Sequence, residues 1–157
     1  MKRQLFFLIL TIGLCSCGSY FYAEEYKFNI SDEKLVERII TFKEKHPQYK
    51  VLLLPNKKGE EMYNPDHCDS TFCSFYFYFS DINAAVHTVI NISKKGSSFP
   101  AIFKLTGVSY FDSKSDIHVF RHWQTINKKG ERGDLTKEEN AAIKKKFEAE
   151  ILDHLGK

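Results

Sequence analysis

The densest run of side chains able to do chemistry is Asp66, His67, Cys68 and Asp69, with Cys73 following closely. Carboxylate, imidazole and thiolate all ligate zinc, but a structural zinc site takes four N or S donors in paired short spacings, and no second cluster accompanies this one. No metal is expected there. His118 and His122 have the i, i+4 spacing of a metal-binding helix, yet Ile117, Val119, Phe120 and Trp123 around them alternate as in a strand. On a strand the two rings stand about 13 Å apart along one face, too far to share an ion, so both read as edge or surface histidines. Neither an HExxH motif nor a Gly-x-Ser-x-Gly elbow occurs, and Cys68 and Cys73 lack the two-residue spacing of a redox pair. Glu60-Glu61 and Glu138-Glu139 fall where loops and helix caps need charge, not where a glycosidase pair is legible. Arg132-Gly133-Asp134 is a three-residue match to an adhesion tripeptide and reads as loop chemistry. No cofactor is implied and no catalytic set is recognisable, although catalytic groups can converge from distant positions.

The elements that would position these residues follow from periodicity. Ser31 is a helix N-cap with Asp32 and Glu33 in the positive first turn, and Ile30 with Leu35 makes a hydrophobic staple. Leu35, Val36, Ile39, Ile40 and Lys43 recur at helical spacing, predicting a helix over 32–45 that stops before Pro47. A short buried strand is expected over 50–54, then a turn at 55–59. The clearest strand is 73–80: Cys73, Phe75, Phe77 and Phe79 point to one face, and Ser74, Tyr76, Tyr78 and Ser80 to the other. Return strands are expected over 85–92, 99–111 with a bulge at Gly107, and 117–124, separated by polar turns. Thr136-Lys137-Glu138-Glu139 is a capping box that opens a second long helix, whose stripe is Ile143, Phe147, Ile151, Leu152 and Leu155, with Gly156 as its stop.

This pattern predicts an α+β fold: an antiparallel meander of about four or five strands, flanked by an N-terminal and a C-terminal helix packed mainly on one face. The Phe face of strand 73–80 is core. The opposite face, bearing Tyr76 and Tyr78 and extended by His87 and Lys104, is the candidate binding face, because aromatic rings with polar tips give contact area at low entropic cost. The competing reading packs those tyrosines beneath a helix.

The chain opens with Lys2 and Arg3, then an apolar run from Leu5 to Leu14 that is too short for a span needing roughly 20 residues, and so has the form of an export signal. Leu14-Cys15-Ser16-Cys17 resembles the lipobox of bacterial lipoproteins: a branched aliphatic, a tolerant position, a small residue, then cysteine. The resemblance covers about the first 20 residues. It implies cleavage before Cys17, a lipid on that thiol and an anchor in the membrane, with 1–16 as signal, 17–30 as a short tether and entry segment, and 31–157 as one domain. Gly18 after the lipidated cysteine is similar to outer-membrane rather than inner-membrane sorting. With Cys15 discarded and Cys17 acylated, Cys68 and Cys73 remain to form a disulfide or to stay as two buried thiols. Loss of Lys2 and Arg3 lowers the net charge from +3 to about +1, which removes the case for nucleic acid as a partner. The expected role is a lipid-anchored envelope protein that binds another envelope protein or a small ligand, as an assembly factor, inhibitor or immunity-type protein. The alternatives are a small envelope hydrolase and a purely structural envelope protein.

Overall fold

In the computed structural model, which describes residues 23–52, 64–93, 99–111, 122–128 and 134–156, the chain builds an antiparallel sheet with helices from both ends of the sequence. Strand β1 (Glu24–Phe28) comes first and α1 (Asp32–Lys45) follows directly. The Ser31 hydroxyl accepts from Lys34 N at 3.3 Å, as the cap predicts. Asp32 is fully buried, its carboxylate accepting from Glu33 N at 2.9 Å and Ser93 N at 3.1 Å. A single 3-10 turn, Pro47–Tyr49, ends the helical segment. The sheet continues with β2 (His67–Cys68), β3 (Phe72–Phe79), β4 (Ala84–Asn91), β5 (Ala101–Tyr110) and β6 (Gln124–Thr125). Then α2 (Lys137–Phe147) passes through a π-helical turn, Glu148–Leu152, into α3 (Asp153–Leu155). The capping box at Thr136 and Glu139 is complete, and Gly156 closes the helix in the left-handed region at φ 80°.

Strand order is β1-β5-β4-β3-β2, with β6 pairing the far half of the β5 edge that β1 leaves open. Strands β2 to β5 form an antiparallel meander, in which β3, β4 and β5 are the strands expected. One face holds the core: Phe75, Phe77 and Phe79 from β3, Val86 and Ile90 from β4, Phe103 and Leu105 from β5, and Tyr26 and Phe28 from β1. Leu35, Ile39 and Phe42 of α1 and Ile143, Phe147, Ile151, Leu152 and Leu155 of the C-terminal helix pack onto that same face. The π turn widens the helix enough for Ile151 and Leu152, neighbours in sequence, both to reach the core.

Several local expectations change. The segment read as tether and entry contains β1, because Tyr26 and Phe28 alternate into the core opposite Phe103 and Ala101. The strand expected over 50–54 is not formed by Val51 and Leu52; Val51 instead packs, as irregular backbone, against Ala85 and Phe111 on the second face. Leu53 and Leu54 lie outside the described residues. Ile40 leaves the α1 stripe and is 45% exposed, while Phe42 takes the core position. The β5 bulge, by contrast, includes Gly107 as expected: His87 pairs Gly107 and Thr88 pairs Leu105, so Thr106 and Gly107 together oppose His87. Of the strand expected over 117–124, only Gln124 lies in a strand and 117–121 lie outside the described residues.

Candidate functional site

The sheet face turned away from the helices carries the predicted binding residues. Period-2 alternation puts Ser74, Tyr76 and Tyr78 there from β3, and the register sets Tyr76 opposite His87 on β4 and Val89 opposite Lys104 on β5. The Tyr76 and His87 rings stack at 4.7 Å, and Trp123, just before β6, lies 5.8 Å from Tyr76 and 5.7 Å from His87. Tyr78 contacts Phe111 at 5.8 Å and donates its phenol proton to Asn83 Oδ1 at 2.9 Å. Lys104 is tied to Glu25 of β1 at 2.8 Å, at the far end of the face. Tyr76, Tyr78, His87 and Lys104 thus share one face, and the first three form its aromatic centre.

Three more residues complete this cluster: Ser74, already expected on this face, and Trp123 and Thr106, which the sequence does not place there. Trp123 reaches it because β6 crosses beside Gly107: a Cβ at that position would stand 3.0 Å from the Gln124 carbonyl oxygen and 3.5 Å from Trp123 Cε3. Glycine is what lets the indole lie there. Ser74 and Thr106 hold the imidazole, with Ser74 Oγ at 2.7 Å from His87 Nε2 and Thr106 Oγ1 at 2.6 Å from Nδ1. The Thr106 hydroxyl donates its one proton to the His87 carbonyl at 3.0 Å, so it accepts from Nδ1–H, and bare Nε2 accepts from Ser74. Burial strips water from the imidazolium and lowers His87 from its ordinary 6.5 to about 4. At neutral pH the ring is uncharged, wedged between aromatics and fixed by hydroxyls.

No family model, curated protein or solved structure matches this chain. An imidazole of such low basicity is a weak proton acceptor at neutral pH, and among the described residues the ring nitrogens meet the Ser74 and Thr106 hydroxyls. The cluster supplies stacked aromatic area in which the His87 ring and the Tyr78 hydroxyl are already hydrogen-bonded.

A second set of residues closes the outer edge of β3. The disulfide Cys68–Cys73 joins directly opposed residues of β2 and β3, their Cα atoms 4.1 Å apart. This resolves the alternative of two free thiols. Beyond the bridge, Asp66 Oδ1 accepts from Tyr76 N at 2.9 Å, and Lys43 of α1 donates to the Tyr76 carbonyl at 2.7 Å and to Asp66 Oδ2. Carboxylate and ammonium together make the two hydrogen bonds that a neighbouring strand would make. Asn64 orients the carboxylate, and the Lys43 ammonium also lies 5.2 Å above the Phe77 ring. Burial lowers the Lys43 ammonium from its ordinary value, and Asp66 opposes that shift. A cavity of about 300 Å³ opens here, lined by Ile40, Lys43, Lys50, Asp66, Cys68 and Phe75. Asp66 and the two cysteines, metal ligands by type, serve the sheet edge. Among the described residues no three His, Cys, Asp or Glu side chains gather as a metal site. His122 is exposed, and His118, Arg132, Gly133 and Cys17 lie outside the described residues.

Proposed function

We propose that this protein is a lipid-anchored component of a bacterial cell envelope, held through Cys17, favouring the outer membrane, and working by binding another envelope protein as an assembly factor, inhibitor or immunity-type protein. The anchor rests on Leu14-Cys15-Ser16-Cys17 following a short apolar run. Binding rests on one observation above all: the Tyr76, His87 and Trp123 stack on the face opposite the helices, flanked by Tyr78. Tyr and Trp are enriched at the energetic centres of interfaces. Crosslinking in intact cells, then purification and mass spectrometry, should return one stoichiometric protein, and Tyr76→Ala with Tyr78→Ala should weaken its capture. Capture at unchanged affinity would discard this face. Cys17→Ser should release the protein from the membrane fraction and remove the lipid from its intact mass; persistence of both would end the lipoprotein reading.

The hydrolase alternative has a specific observation behind it, the 2.7 Å contact between Ser74 Oγ and His87 Nε2. Labelling of Ser74 by a fluorophosphonate, lost in His87→Gln, would carry that reading. The binding module predicts no labelling.

A further inference from the structure

The C-terminal end of α1 and the end of the last helix meet in a groove that neither the aromatic face nor the β3 edge uses. His46 is the C-cap of α1, its N–H bonded to the Phe42 carbonyl at 2.9 Å and its carbonyl accepting from Tyr49 N at 3.1 Å. His154 lies in α3, whose neighbouring Leu155 carbonyl takes a hydrogen bond from Arg38 at 2.9 Å. Both histidine backbones are pinned although they are remote in sequence. Phe42 stacks on both rings, at 4.6 Å from His46 and 5.9 Å from His154, and the two imidazoles stand 5.7 Å apart, centre to centre. Among the described residues no hydrogen bond reaches either ring. Both histidines line the same groove.

We propose that His46 and His154 form a two-imidazole site for a first-row divalent transition metal such as Ni²⁺, Zn²⁺ or Cu²⁺, joining α1 to the C-terminal helix. The spacing suits a shared ion. A metal–nitrogen bond of about 2.1 Å puts each ring centre about 3.2 Å from the ion, and two such rings at a tetrahedral angle stand about 5.2 Å apart, more at wider angles. The ends of α1 and of the last helix both present the negative pole of the helix dipole to the groove, and Glu37 adds a carboxylate. Lys34, Arg38 and Lys45 line the same groove and oppose a cation. That balance selects borderline metals, which gain from nitrogen donation, over Mg²⁺ and Ca²⁺, which depend on oxygen ligands and charge. Two protein ligands leave the remaining positions to water or to a donor brought by a partner.

The test is calorimetric titration of the full chain in detergent with NiCl₂, and with MgCl₂ as control. The expected result is one equivalent of Ni²⁺ bound and no Mg²⁺ signal. His46→Ala and His154→Ala should each weaken Ni²⁺ at least about tenfold, the least that loss of even a supporting group costs a metal site, while His67→Ala changes nothing. Circular dichroism verifies that the variants fold. With Cu²⁺, electron paramagnetic resonance should show two coordinating nitrogens, falling to one in either variant. Absence of Ni²⁺ binding, equal binding of Mg²⁺, or an affinity that both alanine variants leave unchanged would overturn the proposal.

Discussion

Acidification is the sharpest probe of the His87 cluster. The folded protein holds His87 at about 4, while the unfolded chain returns it to 6.5. Between those values the unfolded state binds the proton and the folded state does not, so stability is complete above 6.5 and falls as the pH drops toward 4. At 1.36 kcal/mol per unit, the loss owed to this one group is about 3 kcal/mol by pH 4. Carboxylates titrate in the same range, so the measurement is a difference: urea unfolding of wild type and of His87→Gln, each at pH 7 and pH 4. The variant should be less stable at pH 7, because glutamine cannot serve both Ser74 and Thr106 in the same geometry. On acidification it should lose about 3 kcal/mol less than wild type. An NMR titration reads the imidazole directly, with an expected midpoint near 4. A midpoint near 6.5, or equal acid losses in the two proteins, would refute the buried, neutral ring and with it the fixed aromatic centre.

Three further outcomes follow from the same packing. Lys43→Met should cost about 3–5 kcal/mol in urea unfolding, since it strands the Asp66 carboxylate and the Tyr76 carbonyl, and adding Asp66→Asn should recover part of that loss. Cys68→Ser should cost about 2 kcal/mol for so short a loop, and the oxidised wild type should take up no alkylating agent at Cys68 or Cys73 without reduction. Gly107→Val should force β6 off β5, at about 1–3 kcal/mol, and shift the emission of the single tryptophan to the red as Trp123 leaves Tyr76 and His87. Unchanged emission would show that Gly107 does not set the position of the indole.

What could be read from the sequence is what short-range physics writes into it. The Ser31 and Thr136 caps, the span of α1 and the Phe and Tyr alternation of β3 each depend on residues within a few positions, and each appears as expected. Tyr26 and Phe28 carry the same alternation, but five residues of it between a signal-like segment and a helix cap are too few to distinguish a strand from a tether until Phe103 is known to lie opposite. Val51 and Leu52 have the apolar character of a buried strand, yet Val51 is buried as irregular backbone and Leu52 is exposed. Lys43 looked like part of an apolar stripe because its stem is; its ammonium is explained only by Asp66 and Tyr76, which come from another part of the chain. His46 and His154, and Ser74 with His87 and Thr106, are likewise pairings that tertiary packing creates.

The divided edge of β5 has a kinetic consequence. Strands β2 to β5 pair with near neighbours in sequence and so form first in folding, whereas β1 must close a long loop for Glu24 to meet Leu105, and β6 joins from the segment that follows β5. During that interval β5 presents a full row of unpaired backbone groups, including those beside Phe103 and Leu105. The two latecomers then divide it, one taking each half. The hazardous species in the life of this protein is therefore the half-assembled meander, and mutations that slow the arrival of β1 should raise aggregation more than their effect on the finished fold would suggest.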